Sequence, residues 1–309
     1  MRTIRIATRA SKLALTQSNY VADLIRGVSG EVEVELVRIS TKGDRDKSEF
    51  LYKGSSVGYF TSEVENALLD GRGDVAVHSL KDLPTAITEG LVVAAIPTRE
   101  SVADVIVAGD SVKSVADLAA GATVGTSSLR RIAQLQHMRN DLKSVPLRGN
   151  VETRVGKVAS GEVDAIIIAH AGLNRLGLSD NISVVLSPDE FVPAPAQGAL
   201  AIQTRSDDSE ILKIISQLDD AEARLTAETE RHILAAMHGG CSIPLGAYSH
   251  IDGDVMTICA VISDPEGERY IKRVESCPVS EAKATAEKLV EQLFEAGAQQ
   301  ILDGIRKEG

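Results

Sequence analysis

The sequence predicts an α/β protein that ends in a small α+β unit. Three observations lead to this class. Short apolar strand patterns alternate with helical patterns from the N-terminus to about residue 176, and such alternation implies sheets covered by helices. Residues 242–309 change habit, with two strand patterns followed by one long helix. The length of 309 residues allows two or three domains with real cores. Those cores are aliphatic, because aromatic residues make up 3% of the chain and Trp is absent.

Taken in order, residues 2–7 (RTIRIA) alternate and form a strand. Ser11 caps the helix that follows, whose positions Leu13, Leu15, Val21 and Leu24 share a face. Residues 32–39 (VEVELVRI) alternate strictly and form a second strand. Residues 40–58 (STKGDRDKSEFLYKGSSVG) mix glycine, serine and both charges, which is a long loop, and long loops in compact domains are functional lids or disordered. A helix follows over about 61–70, then a strand over 74–79, and Pro84 ends whatever begins after it. Elements continue at 91–96, 104–108, 114–120, 123–125, 128–138, 143–147, 151–160, 164–169 and 170–176. From about 206 to 236 the chain is helical and acidic. Residues 205–231 hold eight acidic and four basic side chains, which reads as a solvated helix face. In the last unit, 255–262 and 269–275 are strands and 280–298 is a helix. No internal repeat of fixed period is present.

Composition excludes several classes. A net charge of −11 gives no global basic field for nucleic acid or an anionic membrane, and scarce aromatics disfavour base stacking. No stretch approaches the roughly 18 apolar residues that span a bilayer. The N-terminus lacks an apolar signal core, so a cytoplasmic location is expected. Cys241, Cys259 and Cys277 are odd in number and far apart, which argues against a disulfide framework. Neither CxxC nor HExxH occurs, so no metal site is expected.

Against this acidic background, residues 126–154 carry six basic and two acidic side chains. Thr126, Ser127 and Ser128 follow a strand end and open a helix with Arg130 and Arg131 in its first turn. Hydroxyls and backbone N–H groups at a helix start form an anion pocket, and arginines there oppose the helix dipole, so an anion is expected nearby. Arg148 precedes the next helix and Arg154 lies inside it, while Arg9 sits between a strand and the Ser11 cap. Three helix starts with one feature point to a ligand bearing several carboxylates, which guanidinium groups grip in two-pronged fashion.

In DVAVHSLKDLP (74–84), Lys81 and Asp82 follow a strand's carboxyl end, the edge at which α/β sheets bind ligands. Asp82 is either the partner of a local ion pair or a carboxylate that serves acid/base chemistry and steadies a cation. His78, inside an apolar strand, reads as a satisfied core histidine rather than a catalyst. His170 lies at a strand-to-helix junction. His238 is either a helix C-terminal residue or a neighbour that lowers the Cys241 thiol pKa. Cys241 itself sits on the glycine-loosened turn HGGCSIPLGAY (238–248) rather than in a core pattern.

Six stretches occur in one order: ATRASKLALTQ (7–17), AVHSLKDLP (76–84), GTSSLRR (125–131), LRGNVETR (147–154), VPAPAQGALAI (192–202) and GGCSIPLGAY (239–248). Together they resemble the porphobilinogen deaminase family, also called hydroxymethylbilane synthases, from residue 4 to about 250. The resemblance implies an α/β fold of three domains. Two are periplasmic-binding-protein-like doubly wound lobes, and the third is a small α+β domain that carries the cofactor. It divides the chain into 1–98 plus 198–218, 99–197, and 219–309.

The resemblance also implies the chemistry. A dipyrromethane cofactor is joined to Cys241 by a thioether and is never turned over. Arg9, Ser11, Arg130, Arg131, Arg148, Arg154 and Arg175 match carboxylate-binding positions. Gln17, Ser79, Lys81, Thr126, Ser127, Ser128 and Gln197 match neighbouring polar contacts, and Lys53 matches a basic lid residue. Asp82 matches the catalytic aspartate, which stabilises the cation formed as ammonia leaves porphobilinogen. The implied enzyme is a cytoplasmic, monomeric transferase that condenses porphobilinogen head to tail and releases linear hydroxymethylbilane. It needs no metal, nucleic acid or membrane. Three departures stand out: Val57 where a lid lysine is common, Ala103 where an arginine often precedes an aspartate, here Asp104, and Ala196 in place of a glycine. The rival is a non-enzymatic anion-binding or sensor module on the same two-lobed scaffold, which requires neither Cys241 nor Asp82.

Overall fold

A computed structural model describes residues 2–30, 32–41, 61–237 and 243–308. Most of the expected loop at 40–58, with Lys53 and Val57, lies outside the described residues, as do His238 and Cys241. The chain divides into two compact units. Unit 1 comprises Met1–Leu51, Ser55–Glu100 and Gly198–Leu225; unit 2 comprises Tyr52–Gly54, Ser101–Gln197 and Thr226–Gly309.

Unit 1 is built on a five-stranded sheet of β1 (Arg2–Arg9), β2 (Val32–Ile39), β3 (Val75–Ser79), β4 (Leu91–Ala95) and β10 (Leu200–Arg205), in the order β2-β1-β3-β10-β4. The first three are parallel, whereas β10 runs antiparallel to both its neighbours. Helices α1 (Lys12–Val28), α2 (Ser62–Leu69) and α6 (Ser209–Ile215) cover it. Ile4, Ile6, Val75, Val77, Leu200 and Ile202 meet Val21 and Ile25 of α1 and Ile211 and Ile215 of α6 in one core. Ala7, Ile39 and Ala76 meet Val64, Ala67 and Leu68 of α2 in another. Burial on both faces accounts for the apolar runs of β3 and β10, whereas the edge strand β2 keeps exposed positions and alternates. The inward face of α1 differs from the expected one. Gln17, Ser18, Val21, Ala22 and Ile25 are buried, while Leu13 and Leu15 are only half-buried.

Unit 2 contains a second five-stranded sheet, of β5 (Asp104–Ala108), β6 (Thr123–Gly125), β7 (Lys143–Val145), β8 (Ala165–Ala169) and β9 (Val184–Val185), in the order β7-β6-β8-β5-β9. Again three strands are parallel and the fourth, here β5, is antiparallel. Helices α3 (Leu129–Met138), α4 (Val151–Ala159) and α5 (His170–Leu176) follow its strands. The stretch 114–120 forms only a short 3-10 turn over Val115–Asp117. There the Asp117 carboxylate accepts hydrogen bonds from the Lys113 and Ser114 N–H groups and the Ser114 hydroxyl. Between Leu225 and Thr226 the division of units falls inside α7 (Ala221–Ala236).

The C-terminal region of unit 2 is an antiparallel sheet of β11 (Leu245–Asp252), β12 (Val255–Ser263) and β13 (Tyr270–Pro278) with two helices, α8 (Ala282–Glu295) and α9 (Ala298–Glu308). The expected helix over 280–298 is α8, and a further helix, α9, follows it after Gly297, whose φ is 107°. This sheet packs against the rest of unit 2 at several places. Cys259 and Val261 bury against Val192, and the Ala247 N–H donates to the Pro193 carbonyl at 3.0 Å. The β12–β13 turn meets the C-terminal end of α3: the His137 ring stacks on Tyr270 at 3.8 Å and its Nδ1 lies 3.1 Å from the Gly267 carbonyl.

Two five-stranded α/β lobes and a small α+β region agree with the fold class read from the sequence. No described helix is long and apolar enough to cross a membrane. Cys259 and Cys277 are buried thiols, and burial pushes the Cys259 pKa up to about 11, which makes it a poor nucleophile.

Candidate active site

In unit 1 the expected site residues gather where the parallel strands end. Arg9 closes β1, and Ser11 accepts a hydrogen bond from the Ala14 N–H at 3.3 Å, so the cap is real and half-buried. Gln17, one and a half turns into α1, donates through Nε2 to the Ser79 hydroxyl at 3.0 Å and ties α1 to the end of β3. Beyond Ser79 the chain makes a 3-10 turn over Leu80–Asp82. Leu80 and Leu83 are buried, and the Leu80 N–H donates to Ala199 O at 3.0 Å. Two apolar anchors three residues apart therefore pin the turn, while Lys81 is half-buried and Asp82 exposed. Asp82 is held on a rigid support with its carboxylate available.

His78, one residue before that edge, faces the interior. Its Nε2 lies 3.1 Å from Gln203 Oε1, and the Gln203 amide donates onward to Glu65 at 2.9 Å. Because the Gln203 nitrogen is committed to Glu65, Nε2 of His78 is the donor. Burial pushes the imidazole down to about 4. His78 is the satisfied core histidine that the apolar strand implied.

Unit 2 presents its residues at the corresponding ends of β6, β7 and β8. Thr126 is buried and continues the pairing of β6 through its N–H to Val145 O at 2.9 Å. Ser127 both donates to Leu147 O and accepts from Leu147 N, each at 3.0 Å, fastening this loop to the Leu147–Asn150 loop. Ser128 begins α3 without a side-chain cap bond. Asn150 caps α4 by accepting from Thr153 N at 2.8 Å, and Arg154 folds back to donate to Gly149 O at 2.8 Å. Arg148 and Arg154 are half-buried at this edge, whereas Arg175 lies in the last turn of α5. His170, at the first position of α5, pairs through Nδ1 with the Ser101 hydroxyl at 2.9 Å.

Arg130 and Arg131 already meet an anion within the chain. It is the protein's own Asp104 carboxylate, which pairs with both. Both guanidinium groups are buried, 4% and 7% exposed, and Asp104 is fully buried. Arg130 Nη1 lies 2.7 Å from Asp104 Oδ2 and also donates to Val192 O at 2.8 Å. Arg131 donates through Nε and Nη2 to Asp104 Oδ1 at 3.1 and 2.7 Å, and through Nη1 to Ile167 O. Burial is the largest influence on the Asp104 carboxyl and raises its pKa. The charges and hydrogen bonds of the two arginines together outweigh it and hold the group well below the usual carboxylate range.

Gln197 is fully buried and joins the same cluster, donating to Val102 O at 2.8 Å, Ala103 O at 3.2 Å and Asp104 Oδ1 at 3.0 Å. Its neighbour Ala196 has φ 60°, unlike every other described non-glycine residue. The Ala196 N–H donates to the buried Glu230 carboxylate at 2.7 Å, and Glu230 also accepts from Ser249 N at 2.9 Å. Sequence reading gave Asp104 no role and passed over Glu230. The one available signal was an acidic residue heading the apolar strand DVIVA in a chain that elsewhere pairs two adjacent arginines. Among the described residues no group of three or more His, Cys, Asp or Glu is placed to hold a metal ion.

Comparison with known proteins supplies the family. Residues 4–213 match the model described as porphobilinogen deaminase, dipyromethane cofactor binding domain. Residues 224–295 match that of the porphobilinogen deaminase C-terminal domain. The porphobilinogen deaminase of Maridesulfovibrio salexigens is 46% identical over 99% of this chain and 99% of its own length. That of Oceanobacillus iheyensis is 41% identical over 100% of this chain and 99% of its own length. A TRAP periplasmic solute binding protein from Desulfovibrio salexigens shares 12% identity over 74% of this chain and 76% of that one, with a TM-score of 0.44. A likeness so slight does not bear on function. Relatives matched from end to end, and an exposed aspartate on the pinned SLKDLP turn, lead to one conclusion: this chain belongs to the porphobilinogen deaminase family, enzymes of tetrapyrrole synthesis.

Proposed function

We propose that the chain condenses porphobilinogen head to tail with loss of ammonia and releases linear hydroxymethylbilane, acting as a monomeric cytoplasmic transferase. The reading divides it into domains 1–98 plus 198–218, 99–197, and 219–309. Support comes above all from the full-length match to porphobilinogen deaminases, together with an exposed Asp82 on a turn anchored by Leu80 and Leu83.

The family's dipyrromethane group suits the donor chemistry present. Unit 1 carries Arg9, Ser11 and Lys81 at its strand ends and unit 2 carries Ser128, Arg148 and Arg154 at its own, each a group of cations and hydroxyls of the kind that suits carboxylate arms. Arg130, Arg131 and Gln197 fit less directly, because Asp104 already engages them. The proposed anchor is a thioether to Cys241, with Thr126, Ser127, Ser79, Gln17 and Arg175 supporting the contacts and Lys53 covering them. When bound, the group supplies a fixed primer with a nucleophilic pyrrole carbon. Asp82 accepts hydrogen bonds from pyrrole N–H groups and steadies the positive charge that develops on the incoming porphobilinogen as its protonated amine departs as ammonia. The carboxylate then takes up the ring proton released when the new carbon–carbon bond is complete. The cationic and hydroxyl donors hold acetate and propionate arms, which fixes each ring for attack.

The test is bilane production from porphobilinogen by wild type and Asp82→Asn. Loss of one preorganised charge-stabilising group costs about 10²–10³-fold in kcat. Wild-type protein that releases no ammonia from porphobilinogen contradicts the proposal, and an Asp82→Asn protein of wild-type rate removes Asp82 from it.

A further inference from the structure

Within unit 2 one carboxylate organises more of the expected binding machinery than any other group described. Asp104 heads β5, fully buried, and receives Arg130 on Oδ2 and Arg131 and Gln197 on Oδ1. Arg130 and Arg131 each carry a further bond to a backbone carbonyl, Val192 O and Ile167 O. Gln134 doubles the grip on Val192 by donating to its carbonyl at 2.9 Å and accepting from its N–H at 2.7 Å. The cluster thus links the start of β5, the end of β8, the first turn of α3 and the segment from Val192 to Gln197.

Charge sharpens the point. Two buried guanidinium groups without a counterion would carry two positive charges into a poorly hydrated interior, at great cost. With Asp104 the cluster keeps one. That single charge belongs to the first turn of α3, immediately after the Thr126–Ser128 segment, whose hydroxyls the proposed function assigns to binding. We propose that Asp104 is a positioning residue of the reaction: it fixes the Arg130 and Arg131 heads and the Gln197 amide, and it trims their field to the single positive charge that the carboxylate arms of the pyrrole chain meet. This rests on the function proposed above, and it gives Asp104 a role toward substrate that a merely structural ion pair lacks.

Asp104→Asn keeps the size of the side chain and one acceptor oxygen but removes the charge. Three measurements are made on purified wild type and variant after incubation with porphobilinogen. Intact mass gives the fraction of chains that carry pyrrole units, initial rates give KM and kcat, and circular dichroism gives the folded fraction. The expected result is a folded variant with a lower loaded fraction and a KM raised about tenfold or more, the scale of one charge-assisted contact. Its kcat at saturation should change by less than about threefold, since interactions made equally in ground and transition states appear in KM. Asp104→Glu, which restores the charge, should recover loading in part. Should Asp104→Asn not fold, Asp104→Asn/Arg131→Gln returns the cluster to one positive charge and takes its place, with the same rise in KM expected from its misplaced Arg130 head. A folded variant of either kind with wild-type loading and KM overturns the proposal. A wild-type chain that carries no pyrroles and makes no bilane overturns the functional reading instead.

Discussion

Gly267→Ala tests the joint between the C-terminal sheet and helix α3. Gly267 has φ +73° and lies in the β12–β13 turn with its backbone hard against the last turn of α3. A methyl group added there would sit 2.8 Å from Gln136 C and 2.9 Å from Ala133 O, and closer still to His137 N. These are backbone atoms of a helix, so no side chain can swing aside. The left-handed conformation costs an alanine about 1–2 kcal/mol, and forcing an atom into packed surroundings costs about 1–3 kcal/mol more. The expected loss is about 2–5 kcal/mol, or about 4–20 °C in Tm at roughly 2–4 °C per kcal/mol for a unit of this size. Denaturant and thermal unfolding followed by circular dichroism measure it. His137→Ala is the gentler control: it loses the Tyr270 stack and the bond to Gly267 O, about 1–2 kcal/mol, with no clash. The reasoning fails if Gly267→Ala unfolds within about 0.5 kcal/mol of wild type, the scatter expected of an uninvolved surface site, or if His137→Ala proves the more damaging of the two.

Other outcomes follow from the buried polar groups. His78 is held neutral with a pKa of about 4 against roughly 6.5 unfolded, so the unfolded chain binds a proton over that window and the folded chain does not. Its contribution is full above the unfolded pKa and is lost as pH falls from about 6.5 to 4, up to about 3 kcal/mol. His78→Gln should flatten the stability–pH curve there, and an unchanged slope would contradict the assignment. Asp104, whose pKa is depressed, acts at lower pH: its stabilisation is present above the unfolded value and fades as pH drops below it. Glu230→Gln turns one acceptor into a donor opposite either the Ala196 or the Ser249 N–H and should cost about 1–3 kcal/mol in urea unfolding. Stability equal to wild type would show that the Ala196 turn does not depend on it.

Legibility in the sequence followed the range of the forces involved. Local patterns revealed the parallel strands and most helices, because burial on both faces leaves continuous apolar runs such as AIIIA. The Ser11 cap was readable because it bonds only three residues ahead. Strand β10 was not readable as a member of the first sheet: it slots antiparallel between β3 and β4 across a long excursion of chain, and nothing in LAIQTR names those partners. Strand β11 was hidden by its glycine, serine and histidine, which the neighbouring β12 tolerates by pairing along its whole length. At the site, Asp82 stood out because it follows Lys81 at the carboxyl end of a strand pattern. The arginines of α3 stood out as an uncompensated helix start, but the Asp104 carboxylate that pairs with both was not readable. That contact depends on long-range pairing, which charge patterns alone do not carry.

The central claim is that this chain builds its product on a pyrrole primer held by one sulfur. Intact-mass spectrometry of purified protein tests it most directly. The account predicts wild type heavier than its sequence by two porphobilinogen units less two ammonias, and Cys241→Ser at the bare sequence mass. A wild-type chain still at the bare mass after incubation with porphobilinogen, or a Cys241→Ser chain that keeps the increment, would contradict it.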